Sequence, residues 1–376
     1  MITAGEIDGS LPKLSRRMDV DRFRAEFPVV ERRVYMNAGT DGPIPSRGVE
    51  AAWREMEALL ERGRAGKEHF EEMKAGRAAL RERIARLMGC VPEEVALTGS
   101  ATDGINAALT ALGLGRGDEV LTTDEEHPGV LAPLGLAQRR GVSVRVVPWE
   151  ELAGATCPAT KLIACSHVSW VTGKVADTDA LRATGVPLLY DGAQGLGAIP
   201  VDAPALGCDF YAAAGQKWLC GPDGSGYLYV RGDRCRELLA SWPGYMSLAE
   251  PSDALAFEQA DGAARFDMGV SPTGGNAWST AAYDVLDEAG FDQVHERALG
   301  LAEQLAGMLG KRGKEVTPRG PTTLVSWRSD SAEDDVIRLA AEGIVVRDLP
   351  GRGLVRASIG AWATEDELER LASAVS

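Results

Sequence analysis

The chain has 376 residues, 45% of them hydrophobic and 25% charged, which is ordinary globular composition with enough length for a sizeable core. Its 40 basic against 55 acidic side chains leave a formal charge of −15, which argues against nucleic acid or an anionic membrane as a main partner. The opening MITAGEIDGSLPKLSRRMDV lacks a signal-peptide core, no run of about 18 apolar residues occurs, and six scattered cysteines form no C-x-x-C pair, so a soluble cytoplasmic protein with reduced thiols is expected.

Helical spacing fills residues 46–90. Short apolar runs follow (EVALTG, EVLTTD, VSVRVVP, KLIACSHVS and VPLLYDGAQ), separated by segments of helical or turn character such as DGINAALTALG. This alternation predicts an α/β fold with a mostly parallel sheet covered on both faces, whose ligands collect at the carboxyl ends of the strands. Past Pro243 a looser stretch, 245–275, leads into one long helix expected from Ala277 to about Arg312. Strand-like TTLVSWR, helical AEDDVIRLAAEG, strand-like IVVRDL and GLVRASIG, and a final helix with a capping box from Thr364 to Glu367 complete the chain. The expected organisation is an N-terminal segment (1–30) packing on a small domain, a large domain (31–245), a connecting segment (246–275) and a small α+β domain (276–376).

Lys217 lies among small and apolar side chains in YAAAGQKWLCGPDGSGYLYV, residues 211–230. Desolvation lowers a lysine pKa and frees the amine for a Schiff base, although a packed stem with a solvated head gives the same pattern. VALTGSATDGINAAL (95–109) reads as strand, small-residue turn and helix. Its amides, with the hydroxyls of Ser100 and Thr102, make either an anion site or an ordinary N-cap. Asp191 ends the apolar run of LLYDGAQGLGAIPVD, where it could cap a helix or bind a ribose or a metal; the glycine fingerprint of a nicotinamide site is missing after the first strand. His127, in DEEHPGV, also follows a strand. No second His or Cys stands at metal-ligand spacing, so no metal is expected.

In their order, these pieces resemble the fold type I pyridoxal 5′-phosphate (PLP) enzymes of the aminotransferase class V group, which includes cysteine desulfurases, selenocysteine lyases and isopenicillin N epimerase-like proteins. The likeness runs through YMNAGTDGPIP, TGSATDGINAAL, Glu126–His127, SHVSWVTG, DGAQGLG, GQKWLCGPDGSG and VRASIGAWATEDELERL. It implies a seven-stranded, mostly parallel sheet in the large domain and PLP as cofactor. Lys217 would carry the Schiff base and move the substrate Cα proton, and Asp191 would pair with the pyridine nitrogen. His127 would stack on the ring, Gln194 would meet the ring hydroxyl, and Ser100, Ala101 and Thr102 would cradle the phosphate. Arg356 would clamp the substrate α-carboxylate, with Asn37 lining the same mouth. The resemblance also implies a homodimer with active sites near the subunit interface.

Four positions depart from the family pattern. Gln216 replaces the usual His beside the lysine and ring, and Ala214 replaces a phosphate-binding Ser. RFDMGVSP puts Val270 where a Thr normally reaches the neighbouring subunit's phosphate, which leaves Ser271 or Thr273 for that contact. Trp170 stands where desulfurases commonly carry Asn beside ring and substrate. A desulfurase also needs a mobile cysteine shortly before the substrate-binding arginine, yet no cysteine follows Cys235 and the loop reads VVRDLPGRGLVRAS. Arg347 and Arg352 occupy it instead, either meeting an anionic distal group or simply solvated, and Cys220 reads as structural. The expected reaction is Cα deprotonation of an L-amino acid followed by β-elimination of the C–S type. Aminotransfer and epimerisation are the alternatives within the family, and a non-catalytic PLP-fold binding protein is the alternative of another class.

Overall fold

The computed structural model describes residues 18–269 and 271–375; Val270 and the first 17 residues of the N-terminal segment lie outside that range. The strands in chain order are β1 (Val34–Tyr35), β2 (Val95–Thr98), β3 (Glu119–Thr123), β4 (Ser143–Val147), β5 (Thr160–Ser166), β6 (Leu188–Asp191), β7 (Phe210–Ala214), β8 (Gly226–Val230), β9 (Leu324–Arg328), β10 (Ile344–Val345), β11 (Arg347–Leu349) and β12 (Leu354–Ser358). Seven of them form the large sheet, in the order β2-β8-β7-β6-β5-β3-β4. Helices cover both faces, so LLYD, FYAAA and GYLYV are buried at every residue, while the edge strand β4 exposes Ser143 and Val146.

β3 to β7 run parallel, but β8 is antiparallel to both β7 and β2. An antiparallel return needs no crossover helix. Residues 215–225 therefore stay at the carboxyl end of β7, and Lys217 is held where the parallel strands finish. Beyond the large sheet, the single helix expected from Ala277 to Arg312 is two, Gly275–Ala289 and Phe291–Lys311. Gly290 separates them at φ 86°, a left-handed conformation that glycine adopts without steric cost.

β9, β11 and β12 make a small antiparallel sheet in the order β11-β12-β9, and β1 pairs with β10. Val325, Trp327, Val355 and Ala357 from this sheet pack against Leu301, Leu305 and Leu309 of the helix Phe291–Lys311 and against Leu368 and Leu371 of the last helix. That helix opens with the expected capping box, Thr364 and Glu367 each satisfying the other's backbone N–H. Three side chains from the 322–356 region donate to carbonyls on the loop after β5: Arg356 Nη1 to Trp170 (2.7 Å), Ser326 Oγ to Val171 (2.6 Å) and Thr322 Oγ1 to Gly173 (2.7 Å). Among the described residues, no helix is long and apolar enough to cross a membrane.

Candidate active site

The carboxyl ends of β6 and β7 bring Asp191 and Lys217 into one electrostatic neighbourhood. Burial pushes the Lys217 ammonium down to about 8; Asp191 and Asp41 oppose the shift, whereas Arg356 and Arg347 reinforce it. Burial raises the Asp191 carboxyl, and Lys217 with the Ala193 N–H, at 2.9 Å from Oδ1, pulls it back toward the charged form. Behind Asp191 sits a second carboxyl, Glu126, which accepts from Thr123 Oγ1 (2.6 Å), Ser166 N (2.9 Å) and Ser166 Oγ (2.6 Å). Burial lifts it to about 7 against those hydrogen bonds, and Asp191 adds to the rise.

At the end of β2, Ser100 caps the helix Ala101–Ala111, its Oγ accepting from the Asp103 N–H at 3.0 Å. The first amides of a helix have no intrahelical partner, so those of Ala101 and Thr102 make a ready anion site. Gly226 presses on this turn. A Cβ there would lie 2.5 Å from the Ser100 carbonyl carbon, so only glycine lets β8 approach so closely. His127 caps the next helix, Pro128–Arg139, with Nδ1 accepting from the Gly129 N–H at 3.0 Å. Burial, then Lys217, Arg347 and Arg356, hold its ring neutral with a pKa of about 4. Gln194 is buried and oriented at both ends: Nε2 donates to the Gly39 carbonyl (2.7 Å) and Oε1 accepts from Trp218 Nε1 (3.1 Å).

The small sheet contributes Arg356, which is completely buried. Burial and the nearby Arg347 push its guanidinium down to about 9, and its Nε and Nη2 have no hydrogen-bond partner. Trp170, whose carbonyl takes the third nitrogen, stands edge-on to His127 (centroids 5.0 Å apart, 88°) and beneath Arg347, whose guanidinium lies 6.0 Å from the indole centroid. Arg347 also donates to Thr40 Oγ1 (3.3 Å), which donates in turn to Asn37 Oδ1 (2.9 Å). Arg352 points elsewhere, donating to the Asp124 carbonyl at 2.8 Å. The Gln216 carbonyl accepts from the Gly42 N–H (2.8 Å), and its Oε1 is buried without a partner. Ser271 stands apart, accepting from Arg77 Nη1 at 3.2 Å and lining a cavity of about 240 Å³ with Thr98, Ser225 and Thr273.

Several members of the site carry no mark in the sequence. Gly39, Ser358 and Asp41 reach it through contacts between distant segments, Trp218 is marked only as the neighbour of Lys217, and the two-residue step from Arg356 to Ser358 on one strand face is the one hint of the serine. The donor set is nonetheless a recognisable one: an amine and a carboxylate at the ends of the parallel strands β7 and β6, a helix N-terminus after β2, and a buried guanidinium of the small sheet with two nitrogens unpaired. Residues 36–371 match the family model for aminotransferase class-V. The chain belongs to the aminotransferase class-V family. Relatives of this class-V protein include the cysteine desulfurase of Klebsiella pneumoniae, 32% identical over 306 residues that cover 74% of each chain. The probable cysteine desulfurase of Methanothermobacter thermautotrophicus is 27% identical over 94% of this chain and 96% of its own. Among solved structures, the cystine C–S lyase C-DES in complex with its reaction product, cysteine persulfide, matches with a TM-score of 0.86 and 28% identity over 92% of this chain and 98% of that one. A C-DES mutant with glycine covalently linked to the PLP cofactor gives a TM-score of 0.88. The class-V protein is accordingly a fold type I, PLP-dependent enzyme, a lyase or aminotransferase. Its residues fit that cofactor: a desolvated lysine, a buried carboxylate and a helix N-terminus answer its aldehyde, ring nitrogen and phosphate.

Proposed function

We propose that this enzyme is a C–S lyase that cleaves the Cβ–sulfur bond of an L-amino acid whose sulfur carries a second, acid-bearing half, a disulfide of the cystine type, and that it needs no persulfide cysteine of its own. The observation that carries this reading is the strand and loop leading to Arg356. Where a sulfur-accepting cysteine would be required, the chain presents Arg347, already resting on Trp170 and Thr40 at the mouth of the site. No cysteine replaces it from elsewhere. Cys220 is buried, its thiol pushed up by burial, and the exposed Cys157 lies beside Glu119 at the start of β3, the end of the sheet opposite Lys217. The match to a cystine lyase whose product is a persulfide supports a reaction in which sulfur leaves on the substrate fragment.

In this reading the Lys217 amine, whose pKa burial brings down to about 8, takes the proton from Cα. PLP, when bound, supplies the sink for the electron pair left on that carbon. The pair then expels the β-sulfur, so the Cβ–S bond breaks and the outer half departs as a persulfide anion. Water converts the remaining three-carbon fragment into pyruvate and ammonia, and no oxidant or reductant is consumed. Asp191 would pair with the ring nitrogen, neutral His127 would cover the ring, Gln194 would serve the ring hydroxyl, and Ser100, Ala101 and Thr102 would hold the phosphate. Gln216 would lie beside the ring, and Asn37 and Trp170 would line the substrate mouth. Arg356 holds the α-carboxylate and Arg347 the distal acid.

The decisive experiment incubates the holoenzyme with cystine, cysteine and other amino acids while pyruvate, ammonia, pyridoxamine phosphate and Cα deuterium exchange are followed together. Cystine should give pyruvate, ammonia and a persulfide. Accumulating pyridoxamine phosphate would mark an aminotransferase, and exchange without pyruvate an epimerase. We further propose a homodimer. Val49, Trp53, Met56 and Leu60 are exposed along one face of the helix Ser46–Arg62, and Leu239, Trp242, Tyr245 and Leu255 add further exposed apolar surface. Ser271 or Thr273 would serve the partner's phosphate. Light scattering on the purified protein checks the dimer.

A further inference from the structure

Ser358 is fully buried, as is Arg356 two residues before it on β12, and its hydroxyl oxygen has no hydrogen-bond partner. Residues two apart on a strand face the same way, so the hydroxyl and the guanidinium share one side of the sheet. Gly39 shows how tightly they converge. A Cβ on that residue would sit 2.6 Å from Ser358 Oγ, 2.9 Å from Arg356 Nη2 and 2.9 Å from Gln194 Oε1. Gly39 does not adopt a left-handed conformation, so glycine here provides space rather than backbone freedom. Gln194 Oε1 is occupied by the Trp218 indole, and Arg356 Nη1 by the Trp170 carbonyl. What remains unpaired around this point is donor capacity, namely Nε and Nη2 of Arg356 and the Ser358 hydroxyl.

Buried donors are paired in nearly all proteins, and leaving a guanidinium half satisfied is costly unless a ligand completes it. Nε and Nη2 form one edge of the planar fork, the edge that takes a carboxylate side-on. A carboxylate has about four acceptor sites, two more than that edge uses. We infer that Ser358 is a third donor to the substrate α-carboxylate, acting with the Nε–Nη2 edge of Arg356, and that Gly39 is the residue whose missing side chain keeps this cradle open. This rests on the PLP-dependent reading of the site and extends it to how an amino acid is told from a simple amine.

The test uses holoenzyme and two small amines, glycine and methylamine, which differ in the carboxylate and carry no β-substituent. Binding is followed by the change in cofactor absorbance on titration, so the result makes no demand on which bond the enzyme later breaks. S358A should weaken glycine about ten-fold, the loss of one hydrogen bond to a charged group, and leave methylamine unchanged. G39A should weaken glycine at least as much, again sparing methylamine, and it serves as the second variant if S358A does not fold. Unchanged glycine binding in S358A would mean that the hydroxyl holds only a structural water, and an equal loss for both amines would mean that Ser358 merely supports the fold. Either outcome overturns the inference. Normal glycine discrimination without pyruvate from cystine would instead refute the lyase reading and leave this one standing.

Discussion

The two halves of the site treat their polar groups in opposite ways. On the large sheet three groups proposed for the cofactor are already fixed by their own chain: Asp191 by the Ala193 amide, His127 by the Gly129 amide, Gln194 by Gly39 and Trp218. On the small sheet the groups proposed for the substrate are left wanting, with two nitrogens of Arg356 and the hydroxyl of Ser358 unpaired. A resident cofactor benefits from a preorganised cradle, whereas a substrate that must come and go gains discrimination from donors that only the right carboxylate satisfies.

This contrast predicts that the two halves fail differently, and the largest failure belongs to the lysine. Lys217→Ala should lower pyruvate release by at least about 10³-fold and abolish the cofactor's lysine-dependent absorbance, with circular dichroism unchanged. Asp191→Asn should cost roughly 10²-fold in kcat and weaken PLP retention on dialysis, since a neutral amide cannot balance the ring nitrogen. Arg356→Gln should instead raise KM by about 100-fold while PLP retention stays normal; loss of cofactor from this variant would erase the distinction between the halves. Arg347→Gln should reduce the preference for cystine over a monocarboxylic cysteine thioether by about ten-fold, measured as a ratio of kcat/KM values. The smallest effect is one of pH. Because burial brings Lys217 from 10.5 down to about 8, and only the free amine reacts, PLP capture by the apo-protein should quicken as pH rises through about 8 and then level off. A midpoint near 10.5 would show a hydrated lysine.

The strand-end positions of Asp191, His127 and Lys217 were legible in the sequence, and the reason is local. Asp191, His127 and Lys217 each follow an apolar run that becomes a strand buried on both faces, so their place at the strand ends can be read from short segments. The antiparallel course of β8 could not be read, because GYLYV looks the same in either direction. The break at Gly290 was missed because helical spacing continues on both sides of it. The cradle around Gly39 was hidden for a deeper reason. It joins residues more than 300 positions apart, and within VRASIG only the two-residue spacing from Arg356 sets its serine apart from any other strand serine. Glu126 shows the same limit: the sequence places it beside His127, but only the fold buries it among Thr123, Ser166 and Asp191.

Arg356, Ser326 and Thr322 anchor the carbonyls of Trp170, Val171 and Gly173, so the small sheet and the turn before it grip the loop that carries the Trp170 indole. On the proposed reading, carboxylate binding and the alignment of the two sheets therefore share the Arg356 guanidinium. Evolution toward new amino acids would therefore leave Arg356 in place, since every such substrate keeps its α-carboxylate and a change there would also loosen a joint of the scaffold. Arg347 grips only the rim, through Thr40 and its own neighbour's carbonyl, and is the place where selectivity is free to drift.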